Sequence, residues 1–170
     1  MKACPPPVTR ESGVALVVGL IVLTVLTLLA VTGMSTTQME ERMAGNYRDR
    51  TLAFQAAESA LRDAEAFLQQ ANLPVFNGSQ PGLINLVAGS GSTEYWTNFD
   101  WTNNSQQAST SLSDLNSQAR YVIEELPAIP AATESQKFGA LREQNVYKVT
   151  ARATGGSGTA VVILQSTIQR

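Results

Sequence analysis

From Val14 to Met39 the chain carries no charged residue, and Val14–Val31 (VALVVGLIVLTVLTLLAV) is broken only by Gly19, Thr24 and Thr27. As α-helix these 18 residues span about 27 Å, and an extension to Met34 about 31 Å, against roughly 30 Å of bilayer hydrocarbon. The β-branched content is high, but no period of two runs through the segment. A lone strand in lipid would also leave its backbone groups unpaired. The pattern predicts a membrane-spanning helix. A buried core helix is the alternative, but nothing else in the chain is apolar enough to surround it.

Beyond Glu40 the period changes. Met43, Tyr47, Phe54, Ala57, Leu61, Ala64, Leu68 and Ala71 recur at spacings of three, four and seven, which predicts an amphipathic helix with one core-facing side. Arg50 interrupts that stripe, so helix–sheet packing is expected from Phe54 onward, through Phe54, Leu61 and Leu68. Glu58 and Arg62 stand four apart in the favourable order, worth a few tenths (~0.3 kcal/mol) on an exposed face. No strong stop separates Val31 from Glu40, and Asn72-Leu73-Pro74 is a credible end. One helix from Val14 to Ala71 would be roughly 87 Å long. Gly33 and Gly45-Asn46 are its weak points, and a break at Gly45 is the alternative reading.

The last fifty residues read as β-structure. Arg120–Leu126 (RYVIEEL) predicts a strand. Val146–Thr154 alternates, with Tyr147, Val149, Ala151 and Ala153 on one side and Lys148, Thr150 and Arg152 on the other. Gly155–Gly158 supplies a turn, and Ala160–Ile168 returns. Three or four antiparallel strands with one apolar face need a cover, and the amphipathic stripe is the obvious one. The expected fold is an α+β ladle: a long N-terminal helix whose second half packs on a 3–4-stranded antiparallel sheet.

Composition adds exclusions. Of 170 residues, 44% are apolar and 15% charged, with no histidine and one cysteine, Cys4. That removes His-based triads, His metal sites, zinc fingers and any intramolecular disulfide. A net charge of −2 gives no basic footprint for nucleic acid. No phosphate-cradling glycine motif, nucleophile elbow or metal-ligand cluster is present, so neither an enzyme nor a cofactor is expected.

The middle, Ala66–Ala119, holds only three charged residues, Glu94, Asp100 and Asp114. Glycine and serine runs such as Ala88–Ser92 predict loops. Tyr95, Trp96, Phe99 and Trp101 are expected to form a short strand or a patch folded onto the core, a sugar-contacting surface being the other reading. Asp100–Asn104 has too few carboxylates for a calcium loop.

Met1–Gly13 (MKACPPPVTRESG) carries Lys2 and Arg10, a weak cytoplasmic anchor signal. Pro5–Pro7 keep it out of a helix. The apolar stretch is too long for an ordinary secretory signal, and no A-x-A-like site follows it. Gly13 is the one well-placed small residue, at the junction of polar leader and apolar helix.

A short basic leader ending in glycine, followed at once by a long apolar helix, resembles a type IV prepilin. Glu40–Glu65 (EERMAGNYRDRTLAFQAAESALRDAE) resembles the N-terminal region of PilX-type minor pilins, and YKVTARATGGSGTAVVILQSTIQR is similar to the last strands of that family. The resemblance implies a cleaved leader at 1–13, a membrane or filament-core helix at 14–39, and a periplasmic or extracellular pilin domain at 40–170. It implies cleavage between Gly13 and Val14 by prepilin peptidase, N-methylation of Val14, storage in the inner membrane, and incorporation into a type IV pilus. Its implied partners are other minor pilins, the major pilin, the peptidase, the inner-membrane assembly platform and a tip adhesin.

Two departures from the general pilin pattern stand out. The fifth residue after the junction, a glutamate in most pilins, is Val18. A carboxylate in the membrane is costly unless paired, so its absence suggests a missing neighbour and a place at the filament tip, where the subunit would help prime assembly. The second departure is that the processed chain would hold no cysteine to staple its C-terminal loop. A GspK-like minor pseudopilin of a type II secretion system is the alternative function, and a permanently anchored single-pass binding module is a third.

Overall fold

The computed structural model describes residues 12–109, 113–130 and 143–170. The leader expected at Met1–Gly13 therefore lies outside the described residues, apart from Ser12 and Gly13. Two compact units divide at Gly45 and Asn46.

One α-helix, α1, runs from Ser12 to Leu68. It passes through Gly33 and Gly45 without a break, so the alternative end at Gly45 is not realised. It stops at Leu68, short of the expected Ala71.

The second unit contains the rest. β1 (Leu83–Asn85), the one-and-a-half-turn helix α2 (Thr93–Asn98), β2 (Gln106–Gln107), β3 (Arg120–Pro130), β4 (Glu143–Thr154) and β5 (Val161–Gln169) follow in order. The sheet runs β1-β3-β4-β5, with β2 also pairing β3. The β3–β4 and β4–β5 pairs are antiparallel, with Ile123 opposite Val149 and Ala151 opposite Leu164. β1 adds parallel to β3, and the two-residue β2 antiparallel to it. The sheet is thus five-stranded and mixed, where three or four antiparallel strands were expected. The extra strands are too short to leave a pattern in the sequence. Gly82 belongs to that added edge. Its φ of +77° suits glycine, and a Cβ there would come within 2.7 Å of Gln106 N.

The predicted alternation on β4 holds. Tyr147, Val149, Ala151 and Ala153 are all buried on the face covered by α1, together with Tyr121 and Ile123 of β3. The helix side of this core is made of small residues. Ala56, Ala57, Ala60 and Ala64 are at most 1% exposed, and Leu68 closes the row. Leu61 packs partly buried beside them. Phe54, expected on this face, is instead 44% exposed. Taken at 100° per residue, Phe54 lies about 105° from the centre of the alanine row. The row that packs is the one whose size lets helix backbone approach sheet backbone; the predicted stripe held Ala57, Ala64 and Leu68 of it but left out Ala56 and Ala60. Met43, Tyr47 and Ala71 are likewise exposed.

The opposite face of the sheet is covered too. Trp96, Trp101 and Val122 form a second core, with Ile84, Tyr95, Phe99 and Ile163 against it. The aromatic cluster thus folds onto the core as a helical cap rather than a strand. Ser92 caps α2, its hydroxyl accepting from Tyr95 N at 3.3 Å. Trp96 and Trp101 stack at 5.5 Å between centroids. Their indole N–H groups donate to Ser90 O and Trp96 O at 2.6 and 2.9 Å, which lets both rings be buried without an unpaired donor.

Candidate functional site

The apolar segment of α1 is a helix with no core of its own. Its most apolar window has a mean hydropathy of 3.0 and none of it is buried. Leu16, Leu20, Leu23, Leu26, Leu28 and Leu29 each expose at least 60% of their surface. In water that much uncovered hydrocarbon would be untenable at about 25 cal/mol per Å². The surface therefore defines its own surroundings as apolar: lipid, or other helices of the same kind.

The polar atoms of this segment are handled internally. Thr24, Thr32, Ser35, Thr36 and Thr37 each donate a hydroxyl to the carbonyl four residues earlier, and Thr27 donates to Thr24 O. A hydroxyl turned back on the helix presents its methyl or methylene outward. The threonines that interrupt the hydrophobic run in sequence thus do not interrupt the hydrophobic surface.

Gly13 lies in the first turn of α1, and a Cβ built there would meet nothing within 4 Å. The protein's own packing therefore sets no requirement for glycine at this position. Val14 is 60% exposed and Val18 52% exposed, both on the uncovered apolar surface. From Val14 to Met39 there is no ionisable group to pair with an amine or a carboxylate.

In the second unit the ionic contacts hold the domain together. Asp49 of α1 is held by the β4–β5 turn. Its Oδ1 accepts from Ser157 N at 3.0 Å and its Oδ2 accepts a short bond from the Ser157 hydroxyl. These bonds, the hydroxyl first, hold the Asp49 carboxyl below the ordinary aspartate value of 3.8. Gly155 lets the turn come this close, since a Cβ would lie 2.6 Å from Asp49 O. Arg170 reaches the other end of the packed helix, donating to Leu68 O and Gln70 O at 2.8 Å each. α1 has no basic residue in its own last turn, so Arg170 supplies the cation and the donors that its carbonyls need.

Glu124 of β3 is fully buried beneath the aromatic cap. Lys148 Nζ lies 2.7 Å from its Oε2 and donates to Ser90 Oγ at 2.7 Å, while Val87 N donates to Oε1 at 3.4 Å. The pair ties the sheet to the loop that carries α2. Arg120 adds a second tie, donating to Trp101 O and Thr102 O at 3.0 and 3.1 Å. Across the sheet Arg152 faces Arg120, with its guanidinium 5.9 Å from the Trp101 ring centroid. Among the described residues no group of three or more Cys, Asp or Glu side chains could hold a metal ion.

Sequence reasoning found the apolar helix and singled out Gly13 at its start, but did not single out Asp49, Glu124, Lys148 or Arg170. The partners of these four lie from 24 residues (Glu124 to Lys148) to over 100 residues away in the chain, and no local pattern marks them. Glu124 had a weak signal: an acid directly after the apolar Tyr121–Ile123 of β3, although Glu125 beside it carries the same mark.

An uncovered apolar helix that runs on into an α-backed sheet is the architecture of a pilin-type subunit. The comparison with known families makes this specific. The PilX N-terminal model matches residues 12–62, and the model for the type IV pilus assembly protein PilX C-terminal region matches residues 64–170. The chain belongs to the PilX family, as a minor pilin of type IV pilus assembly. No curated protein and no solved structure matches it.

Proposed function

We propose that this chain is a prepilin cut between Gly13 and Val14 by prepilin peptidase, methylated on the new amine of Val14, and stored in the inner membrane before entering a pilus. The observation that carries this reading is the place of Gly13, the last residue of the polar leader, immediately before a 26-residue uncharged segment. A Cβ there would meet nothing, as at Gly19, Gly33 and Gly45, so the fold does not account for this glycine and a peptidase reading the junction does. Gly13 and Val14 are substrates here and perform no catalysis. The uncovered helix suits storage in lipid and then packing among other pilin helices.

Within the pilus the subunit is assigned to a tip complex that primes assembly. Val18 supports this, because a subunit with no carboxylate at that position has no need of a neighbour's amine above it. Its partners in this reading are the other minor pilins, the major pilin and the inner-membrane assembly platform, with a tip adhesin beyond.

Intact mass of the membrane-extracted protein tests the processing step. The expected species lacks Met1–Gly13 and carries one added methyl. A full-length mass in cells with an active peptidase overturns the reading. For the tip assignment, deletion of the gene is expected to reduce surface pili while the major pilin accumulates in the membrane. Label on extended fibres should lie at their ends, and label spread along the shaft would refute the assignment.

A further inference from the structure

The two edges of the sheet are treated differently. Along the first half of β3 the outer edge is covered, by β2 at Arg120 and Tyr121 and by β1 from Ile123 to Glu125, and the second half carries Pro127 and Pro130. Along β5 it is bare among the described residues. Asn145 and Arg170 exchange both backbone bonds, and Gly155 N donates to Ala160 O at the other end of the pair. In an antiparallel ladder every second residue makes such exchanges. Ala160, Val162, Leu164, Ser166, Ile168 and Arg170 are therefore the residues bonded to β4. Val161, Ile163, Gln165, Thr167 and Gln169 turn their N–H and C=O groups outward, where none is bonded among the described residues.

Exposed edges are normally protected by a charge, a proline, a bulge or shortness. β5 has none of these. It is nine residues long, VVILQSTIQ, with no charged residue and no proline, and it pairs with β4 without a register shift. Beside it lies a groove of about 620 Å³ lined by Glu65 and Leu68 of α1, by Gln69 just past its end, and by Ser166, Ile168 and Arg170. A strand laid along the edge would drop alternate side chains into this groove.

We propose that β5 is a docking edge for an extended segment of another protein, which joins the sheet as a further strand. Only an extended backbone supplies acceptors and donors in the alternation that the five outward residues require. The segment is uncharged through its middle, since β5 offers no counter-charge, and apolar at the positions that face Leu68 and Ile168. A second copy fits poorly. Antiparallel pairing of two β5 strands about Gln165 sets Val161 against Gln169 and Ile163 against Thr167, apolar against polar at both levels.

The test uses the full chain in the cells that make it, with the photo-crosslinking residue p-benzoylphenylalanine at Val161 or at Thr167. Both crosslinks are expected in one short segment of one other protein, about six residues apart, as two points on paired strands must be. Crosslinks to a second copy, or scattered over several proteins, overturn the proposal. Thr167→Pro removes an outward N–H but no bond to β4, whereas Thr167→Ala keeps that N–H. Crosslinking from Val161 should fall at least about tenfold with the proline and persist with the alanine, because two fewer paired groups weaken the added strand. Equal yields, or equal losses, refute backbone pairing. Should Thr167→Pro fail to fold, single-residue amide exchange on the unaltered chain decides. The amides of Val161, Ile163, Gln165, Thr167 and Gln169 should slow on complex formation, and unchanged exchange overturns the proposal. None of these readouts depends on whether the chain is processed or where it sits in a pilus.

Discussion

Lys148 Nζ and Glu124 Oε2 lie 2.7 Å apart on directly opposed residues of β3 and β4, with the carboxylate wholly cut off from solvent. Ser90 links the pair to Trp96, its hydroxyl accepting from Lys148 and its carbonyl from the Trp96 indole. Trp96 and Trp101 are the only tryptophans in the chain, so their fluorescence reports on the pair. Removing the cation alone leaves a buried charge unpaired, a loss of about 3–5 kcal/mol. Lys148→Met is therefore expected to lower the stability of the second unit by that order in urea unfolding followed at the tryptophans. The double variant Glu124→Leu with Lys148→Met should recover most of the loss. A double variant no better than the single one would show that the pair is not what the cap depends on.

Asp49 predicts a pH dependence of definite sign. Its folded value lies below 3.8, through the Ser157 hydroxyl and backbone bonds. The stabilisation is thus complete above the unfolded aspartate range and is lost as pH falls through the lower folded value. Asp49→Asn should melt at a lower temperature than the unaltered chain at pH 7. That gap should narrow below about pH 4 as both carry a neutral side chain. A gap that stays constant down to pH 2 would refute the linkage.

Gly155 and Gly13 make opposite predictions from the same kind of substitution. A Cβ at Gly155 meets the backbone oxygen of Asp49 at 2.6 Å, which cannot give way cheaply. Gly155→Ala is expected to cost about 1–3 kcal/mol of stability, as overpacking does. At Gly13 the space is open, so Gly13→Ala and Gly13→Val leave the fold intact. Gly13→Val should nonetheless block leader removal on an immunoblot, with Gly13→Ala less affected. Normal processing of Gly13→Val would argue against a peptidase reading the bare backbone there.

Arg170 is expected to hold the C-terminal turn of α1 closed. Arg170→Met removes both charge-assisted bonds to Leu68 O and Gln70 O, worth about 1–2 kcal/mol on a half-exposed helix end. Amide exchange over the last turn of α1 should quicken roughly tenfold. Unchanged exchange would assign the helix end to the packing of Leu68 alone.

The legible parts of the molecule were those where one short-range period dominates. The uncharged run, the alternation at Tyr147–Ala153 and the glycine turn before β5 each imply their element from neighbouring residues alone. What escaped depends on contacts between distant parts of the chain. Phe54 was placed on the packed face beside Ala57 and Ala64, and Ala56 and Ala60 were left off it, because bulk is the visible signal of burial, while close helix–sheet approach selects small residues. The aromatic cap became a helix because Ser92 could cap it and Ser90 O could receive the Trp96 indole, neither apparent without the sheet beneath. β1 and β2 owe their pairing to Gly82 and β3. Gly13 was singled out by its place between leader and helix alone, whereas nothing near Asp49 in the sequence marks it, because Ser157 is 108 residues away.

The back-bonded hydroxyls of Thr24, Thr27 and Thr32 have a consequence for the passage from membrane to pilus proposed above. Each donor is satisfied by a carbonyl of its own helix. Moving the segment from one apolar surrounding to another therefore breaks no polar bond and strands no polar atom. The transfer exchanges one set of dispersion contacts for another, reversible in either direction. A helix whose hydroxyls bonded to its neighbours would have to be prised from them; these three hydroxyls keep their partners within the helix in either surrounding.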